Sequence, residues 1–426
     1  MSRPEPRTTH AAALALGYAD RIVVRTARDV HRAVAGRAFG WTRVVGGPLP
    51  QRVHDTVADF VYGAVSTGLR GSQRALSAAA ERGIGWPVES GSAGRQLVSA
   101  VNGLVGAELA ERGDPHAIAM SVRSRGRDVP TDPNALGQAF PDASDRIVVL
   151  LHGLGENDDS WCRNADVRGE TYASRIEHDT TYTPVAVRYN TGLNVSTNGA
   201  ELSGLIAELV ARWPVAVSRI ALVGHSMGGL VARAATNHAI AAGMQWPHDV
   251  RHVVCLGTPH LGAALEKAVH VGARAMRVFP EAAPFGRILD TRSPGIVDLR
   301  HGYITREEWE GQDLTARWGL DRLAAAPLPH ADYHFVAATL GVRPTDPLSR
   351  AIGDVFVRFP SAVGRAGRGR PVVGNADVRH IGGADHFALL NHPRVAGWLV
   401  DWLGDGHGEL ESAPTERAYT TTEGVR

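Results

Sequence analysis

The chain has few of the features expected of a secreted, membrane-spanning or nucleic-acid-binding protein. Only two of its 426 residues are cysteines, Cys162 and Cys255, so a disulfide framework is not expected. No apolar run reaches the roughly 20 residues that cross a bilayer. Lys and Arg number 45 against 44 Asp and Glu, and the net charge of +1 gives no electrostatic reason to expect nucleic acid as a partner.

The N-terminal stretch has arginines and a short apolar patch. Asp20 and Arg21 follow the patch directly, so a cleaved signal is not expected, and we expect a cytoplasmic protein. Residues 19–47 mix arginines with apolar side chains. That pattern suits peripheral contact with a membrane surface, but a helix packed on the catalytic domain explains the same pattern and is the preferred interpretation. The sequence carries no signal of an oligomeric state.

Periodicity divides the chain into three predicted parts. Residues 1–115 are Ala-rich with apolar residues at spacings of three and four, which predicts a helical extension. Residues 116–405 are predicted to form an α/β domain, with a cap insert over about 262–330 where no strong strand pattern occurs. Residues 406–426 are polar and are predicted to be disordered.

Short apolar runs alternate with helical patterns from about residue 117 onward. The runs are IAMSVRS, RIVVLLHG, TPVAVRYN, RIALVGHS, HVVCLGTP, YHFVAATL and DVRHIGG. Continuous β-branched runs separated by helices predict a mostly parallel sheet with helices on both faces. Sheets of this kind bind ligands at the carboxyl edge of their strands.

One of these runs ends in a tight turn with a serine at its tip. In GHSMG, residues 224–228, glycines stand two positions before and after Ser226, and a helical pattern follows. A strand, a Gly-X-Ser-X-Gly turn and a helix form the arrangement that exposes a nucleophilic serine. A Gly-rich turn can also serve packing alone. We take Ser226 as the candidate nucleophile because the other groups that such a serine needs also occur in the sequence.

A serine nucleophile needs a histidine as base and an acid that orients the histidine. In this architecture the chain order is serine, acid, histidine. His386 follows the last predicted strand after a Gly-rich loop and is the candidate base. His392, inside the helical stretch that follows, is the weaker alternative.

Four aspartates compete for the role of the acid. Asp377 opens the last strand, at the edge opposite the expected site, and Asp385 would have to fold back onto its neighbour His386. Asp354 follows the penultimate strand and lies between a glycine and an apolar stretch that could bury it, so it is the preferred acid. Asp346 also follows the penultimate strand and stays open as the alternative.

Acyl transfer at a serine also needs two backbone N–H donors for the oxyanion. One is expected on Met227, the residue after the nucleophile, and the other on Leu154, in the loop after RIVVLLHG. His152 in that loop is interpreted as a packing residue. The acidic run at residues 157–159 offers too few oxygen ligands for calcium, and neither a metal nor a cofactor is expected.

Four motifs carry a resemblance to a known superfamily. HGLGENDDSW, GHSMGG, LGTPHLGA and GADHFALLNHP occur in the order typical of α/β-hydrolases. Over residues 117–403 the chain resembles the serine esterase and lipase branch that includes GPI inositol-deacylase-like lipases. The resemblance implies Ser226 as nucleophile, His386 as base, and the N–H groups of Leu154 and Met227 as the oxyanion hole.

The same resemblance bears on the acid and on one further histidine. In similar lipases the acid lies in a Gly-Asp-Gly stretch, which Gly353 and Asp354 match and Val355 does not. This departure keeps Asp346 open. His260, in the motif TPH, is assigned no chemistry.

These features together predict a serine carboxylic-ester hydrolase, an esterase or lipase that forms an acyl-enzyme. The lid-sized insert and the apolar strand edges favour a small-molecule or lipid ester with an acyl chain over a small charged substrate. Two alternatives remain. An acyltransferase or thioesterase would use the same three residues, and a non-catalytic binding or scaffold protein could use the same fold.

Overall fold

The centre of the molecule is a β-sheet of eight strands. The computed structural model describes residues 6–24, 49–263, 293–310, 326–365 and 371–404. The strands in chain order are β1 (Ser121–Ser124), β2 (Arg127–Val129), β3 (Arg146–Leu151), β4 (Tyr182–Arg188), β5 (Arg219–His225), β6 (Val250–Leu256), β7 (Asp332–Thr339) and β8 (Asp377–Gly382).

The sheet is mostly parallel, as predicted. The spatial order is β2-β1-β4-β3-β5-β6-β7-β8. Strands β3 to β8 pair in parallel with their neighbours. Strand β1 is antiparallel to both β2 and β4. The carboxyl ends of six strands therefore meet at one edge, with β5 next to the centre.

The short strand β2 is not among the predicted strands. It pairs with β1 through a hairpin whose two-residue loop, Arg125 and Gly126, has positive φ at both positions, 51° and 72°. Two residues with positive φ form the turn that matches the twist of a tight hairpin. Three residues are too few to show a periodicity, so the sequence pattern does not predict this strand.

The helices described cover both faces of the sheet. They are α1 (Thr8–Tyr18), α2 (Leu49–Glu81), α3 (Ser92–Glu111), α4 (Pro133–Ala139), α5 (Ala165–Arg168), α6 (Tyr172–Asp179), α7 (Val195–Arg212), α8 (Met227–Ala241), α9 (Pro294–His301), α10 (Pro347–Ile352), α11 (Phe359–Ala362) and α12 (Pro393–Leu403). Single 3₁₀ turns occur at Val88–Ser90, Asp158–Cys162, Trp246–Asp249 and His386–Leu389, and a π-helical turn at Ala19–Val24.

Two hydrophobic cores lie on opposite faces of the sheet. In β3, Ile147, Val149 and Leu151 pack into the core beneath α7 and α8. Val148 and Leu150, which point the other way, pack with α6 and α12. Because successive side chains of a strand alternate between faces, a run of buried β-branched residues requires cover on both sides. The sandwich of helix, sheet and helix follows from that requirement.

Helix α3, in the predicted helical extension, packs directly on the sheet domain. A Cβ built on Gly103 would lie 3.1 Å from the Cα of Gly155. The side-chain amide of Asn190, just beyond β4, donates to the carbonyl oxygen of Gly106 at 2.9 Å. The division of the chain at residues 115 and 116 stays a prediction, and residues 1–5 and 25–48 lie outside the described residues.

The predicted cap insert is described only in part, over residues 262–263, 293–310 and 326–330. Helix α9 lies in it, and the hydroxyl of Ser293 donates to the carbonyl oxygen of Gly103 on α3 at 3.0 Å. The rest of the insert and the predicted tail, residues 406–426, lie outside the described residues. Among the helices that are described, none is both long and apolar enough to cross a membrane.

Arg123 on β1 joins three carboxylates from separate segments. Its guanidinium lies 3.1 Å from Glu89, 2.6 Å from Asp128 and 3.0 Å from Asp158. Both Arg123 and Asp158 are buried. Burial alone would lower the pKa of Arg123, but the carboxylates, first Asp158, outweigh burial and raise the pKa. This network connects the turn before α3, which contains Glu89, to strand β1 of the sheet.

We expect Arg123→Met to lower the free energy of unfolding by about 3 kcal/mol, because the buried carboxylate of Asp158 would lose its cation. Urea unfolding followed by circular dichroism measures this change. Arg127→Met, on the exposed side of the same hairpin, is the matched control and should change stability by less than about 0.5 kcal/mol. Equal urea midpoints for the two variants would show that the network does not stabilise the fold.

Candidate active site

Ser226 occupies a strained turn between β5 and α8. Its backbone has φ 52° and ψ −117°, a region that side-chain-bearing residues rarely adopt. The N–H of Ser226 donates to the carbonyl oxygen of Leu256 on β6 at 2.8 Å, which holds the turn against the neighbouring strand. Ser226 is 8% exposed, at the carboxyl edge of the sheet.

The glycines around Ser226 permit this turn. A Cβ on Gly224 would lie 2.3 Å from backbone atoms of Gly228 and Gly229. A Cβ on Gly228 would lie 2.2 Å from the carbonyl oxygen of Leu151 on β3. Both distances are shorter than any real Cβ contact, so helix α8 can start this close to the strands only where side chains are absent.

The structure brings His386 and Asp354 together and buries both. The Nδ1–H of His386 donates to Oδ2 of Asp354 at 2.7 Å. The other carboxylate oxygen of Asp354 accepts hydrogen bonds from the N–H groups of Phe356, at 3.0 Å, and Val357, at 2.7 Å. The N–H of His386 donates to the carbonyl oxygen of Asp354 at 3.0 Å. With Nδ1 occupied in this way, Nε2 is the nitrogen left to accept a proton.

The surroundings of His386 favour its protonated form. Burial alone would lower the pKa of the imidazole. The charge and the hydrogen bond of Asp354, with smaller contributions from Glu156 and Asp385, outweigh burial and raise the pKa above its usual value. A base with a raised pKa holds a proton more strongly during a reaction.

Val355, next to Asp354, has a backbone conformation that suits glycine. Its φ is +94°, and Gly353 on the other side of the aspartate has φ +69°. Positive φ is a pronounced outlier for a β-branched residue. The position at which the sequence departs from the Gly-Asp-Gly pattern of similar lipases is therefore the position that carries strain. The chain keeps the turn around Asp354 without the second glycine.

Ser226 and His386 line one cleft that is open to solvent. Leu154 and Glu156 from the loop after β3 also line it. Gly153 and His225 line the cleft as well. The other lining residues are apolar and come from four segments: Pro259, Ala263, Leu299, Phe356, Val357 and Phe387. The cleft thus combines a serine and a histidine with apolar walls.

Leu154 and Met227 both lie beside Ser226. Met227 is the first residue of α8, where a backbone N–H has no acceptor within the helix. Leu154 lines the cleft, and within the described residues its N–H donates to no other group. Two backbone donors therefore remain available at the cleft.

The other candidate acids and the second histidine occupy structural positions. Asp346 precedes α10 and accepts the N–H of Arg343 at 2.8 Å. Asp377 lies at the start of β8, and Asp385 caps the turn that begins at His386. His392 caps α12. Of the four aspartates, Asp354 is the one hydrogen-bonded to the imidazole of His386.

Two further histidines near the site are packed in the interior. His152 stacks on Tyr189 at 4.3 Å between ring centres, and burial lowers its pKa to about 4. His260 lies 4.1 Å from the ring of Phe335. Within the described ranges, no group of three His, Cys, Asp or Glu side chains could hold a metal ion.

Sequence reasoning assigned no role to two buried residues at this site. Glu156 accepts a hydrogen bond from Nδ1 of His225 at 3.1 Å and another from the N–H of Gly153 at 2.7 Å. Both residues stand inside motifs, one in HGLGEN and the other directly before Ser226. Their positions in these motifs could have marked both residues as part of the site. Their hydrogen bond could not be predicted, because it forms only where the neighbouring strands β3 and β5 end side by side.

Helix α3 forms several hydrogen bonds with the loop that carries Leu154. The amide of Gln96 donates to the carbonyl oxygen of Gly155 at 3.0 Å. The guanidinium of Arg95 donates to both carboxylate oxygens of Asp159, each at 2.8 Å. The amide of Asn157 donates to the hydroxyl of Ser99 at 3.1 Å. Asn157 and Asp159 of the acidic run thus bond to helix α3 of the helical extension.

Residues 141–292 match the model of the family described as "Putative serine esterase (DUF676)". The matched region covers less than half of the chain. It includes Ser226 and the loop of Leu154, but neither Asp354 nor His386. The match confirms the predicted class of reaction, that of a serine esterase. A comparison with curated proteins found no significant match.

Several solved structures are similar over part of the chain. A lipase of Bacillus licheniformis, BlEst2, is 18% identical over 67% of this chain and 98% of its own, with a TM-score of 0.41. The Pyrococcus furiosus esterase Pf2001 is 15% identical over 61% and 83%, with a TM-score of 0.36. The Bacillus subtilis carboxylesterase CesB is 14% identical over 71% and 98%, with a TM-score of 0.34. Likeness at this level assigns no substrate.

The strain at Val355 predicts that glycine stabilises the protein more than alanine does at this position, the reverse of the usual order. At an ordinary position alanine is the more stable of the two, but at positive φ we expect Val355→Gly to be more stable than Val355→Ala by about 1 kcal/mol. Thermal unfolding of both variants measures the difference. Val363, half-buried with φ −93°, is the matched control and should favour alanine. The same order at both positions would contradict strain at Val355.

Proposed function

We propose that this α/β-hydrolase, with its serine esterase match over residues 141–292, is a carboxylic-ester hydrolase that cleaves acyl esters of lipid-like character through an acyl-enzyme on Ser226. In this proposal His386 is the general base, Asp354 orients it, and the N–H groups of Leu154 and Met227 form the oxyanion hole. The reaction needs no cofactor.

The proposed reaction has two steps. Ser226 Oγ attacks the carbonyl carbon and its proton passes to Nε2 of His386. The carbonyl oxygen becomes an oxyanion that accepts hydrogen bonds from Leu154 and Met227. When the carbon–oxygen bond of the ester breaks, the leaving alcohol takes the proton from Nε2. Water then attacks the acyl-enzyme, gives a proton to Nε2, and the carboxylic acid leaves as Ser226 recovers its proton.

The observation that carries the proposal is the contact between His386 and Asp354 beside a strained serine. The 2.7 Å hydrogen bond sets the imidazole with Nε2 free, and Ser226 at φ 52° lines the same cleft. This arrangement is costly in free energy. The backbone of Ser226 is strained, and the buried Asp354 and His386 have lost their contact with water. Nucleophilic catalysis explains why these costs coincide at one point.

The apolar lining supports an acyl chain as part of the substrate. Phe356, Phe387 and Leu299 line the cleft, and within the described ranges no lysine or arginine lines it. Burying a methylene group contributes up to about 0.8 kcal/mol, or about four-fold in binding. A cleft with these walls favours an alkyl chain over a charged acyl group.

Hydrolysis of p-nitrophenyl esters from acetate to palmitate tests the proposal. We expect kcat/KM to rise with each methylene by up to about four-fold until the chain fills the cleft. Ser226→Ala should lower kcat by at least about 10³-fold for every ester, because the nucleophile is lost. Turnover of acetate with none of longer esters would contradict the acyl-chain preference. Activity that persists in Ser226→Ala would contradict the assignment of the nucleophile.

The pH dependence of kcat/KM follows from the pKa of His386. The base must be neutral to accept the proton, and its pKa is raised above the usual value of about 6.5. Activity should therefore rise with pH through a midpoint above 6.5 and be lost below it. Asp354→Asn should lower kcat by about 10⁴-fold, as loss of the orienting acid does in similar triads, and move the midpoint down. A wild-type midpoint below 6 would contradict the assignment.

A further inference from the structure

A buried carboxylate that the proposed mechanism does not use lies beside the cleft. Glu156 is 6% exposed, and its Oε2 accepts hydrogen bonds from the N–H of Gly153 and from Nδ1 of His225. The N–H of Glu156 itself donates to the carbonyl oxygen of Gly153 at 3.2 Å. Residues 153–156 thus form a turn that is closed both by the main chain and by the carboxylate.

We propose that Glu156 is a positioning residue for this active site. Its carboxylate orients the peptide that presents the N–H of Leu154 to the oxyanion, and it holds His225 against the main chain of His386. This inference rests on the proposed function, because it gives Glu156 a task within the same reaction.

The turn geometry explains how Glu156 acts on Leu154. The carboxylate holds the N–H of Gly153. The carbonyl group of Gly153, which shares a peptide plane with the N–H of Leu154, accepts from the N–H of Glu156 at 3.2 Å and lies 3.0 Å from Nδ1 of His152. With Gly153 held on both sides, the plane of the peptide that carries the N–H of Leu154 is fixed. A Cβ on Gly153 would lie 2.8 Å from Oε2 of Glu156 and 3.2 Å from the Cβ of Ser226. The main chain at Gly153 therefore packs closely between the carboxylate of Glu156 and Ser226. In this proposal the N–H of Leu154 is held in position before the substrate binds.

His225 extends the same contact toward the base. Its Nδ1–H donates to Glu156 at 3.1 Å, and its Nε2 lies 3.3 Å from the carbonyl oxygen of His386. The rings of His225 and His386 are 4.8 Å apart between centres. One carboxylate therefore contacts, directly or through His225, both the oxyanion loop and the segment that carries the base.

The charge of Glu156 is well compensated. Burial alone would raise its pKa, but the charge and hydrogen bond of His225 and the N–H of Gly153 outweigh burial and lower the pKa to about 2. The carboxylate is therefore ionised at every pH at which the site can work. Its charge is also one of three, with Asp354 and Asp385, that raise the pKa of His386.

Two substitutions separate the positioning role from the charge. Glu156→Ala removes the acceptor, and we expect kcat to fall about 10- to 100-fold with KM within about three-fold, because a displaced oxyanion donor costs less than the 10²–10³-fold of a deleted one. Glu156→Gln keeps an acceptor oxygen without the charge. We expect it to retain kcat within about five-fold while the acid midpoint of kcat/KM moves to lower pH.

The matched control is Glu111→Ala, an exposed glutamate at the end of α3, which should leave kcat and the pH midpoint unchanged. Circular dichroism checks folding, and if Glu156→Ala fails to fold, Glu156→Ser, which is likewise too short to reach the N–H of Gly153, takes its place and should show the same loss of kcat. The proposal is overturned if both Glu156 variants keep the wild-type kcat and midpoint, if both lose kcat equally with no midpoint shift, or if only KM changes.

A different outcome bears on the proposed function. Ester hydrolysis that is lost in Ser226→Ala but kept in Glu156→Ala, Glu156→Gln and Glu111→Ala would leave the proposed function standing. No hydrolysis by the wild type would refute the function itself.

Discussion

The backbone conformation of Ser226 is the constraint on which the rest of the site depends. A φ of 52° costs free energy, and the surrounding sheet must supply it. Strand β5 lies between β3 and β6, and the N–H of Ser226 is held by Leu256 at the end of β6. Because helix α8 starts directly over these strand ends, side chains are excluded at Gly224 and Gly228. The serine is exposed to the cleft as a result of that packing.

Two buried carboxylates belong to the site, Asp354 in contact with the imidazole of His386 and Glu156 in contact with His225, and each accepts hydrogen bonds from backbone N–H groups. Asp354 accepts two of them besides the bond from His386, and Glu156 accepts one besides the bond from His225. An isolated carboxylate in the interior would be neutralised rather than tolerated. The hydrogen bonds let both stay charged. In return, both carboxylates fix the loops from which they receive these bonds.

The helical extension takes part in the architecture of the site, although it lies outside the region matched to the esterase family. Arg95, Gln96 and Ser99 on α3 each bond to the segment between Gly155 and Asp159. The same helix contacts the described part of the cap through Ser293. The loop that carries one oxyanion donor is therefore held from two sides, by Glu156 from within and by α3 from outside.

The sequence was sufficient for the elements with strong local patterns. The parallel strands were predicted because runs buried on both faces are continuously β-branched, and the turn at Ser226 because glycine is required at fixed distances from it. The hairpin strand β2 was missed because three residues carry no period. The sequence favoured Asp354 as the acid but left Asp346 open, since both follow β7, and only the path of the chain decides which one meets His386.

Local chemistry thus determined the class of fold, the candidate nucleophile and the candidate base, because these depend on residue types at short spacings. The tertiary structure alone decided which groups are in contact. Asp354 meets His386 across 32 positions of sequence, and His225 meets Glu156 across 69. The strain at Val355 and the bracing of the oxyanion loop by α3 arise in the same way. No spacing rule predicts such contacts, because they form where separate strands end at one edge of the sheet.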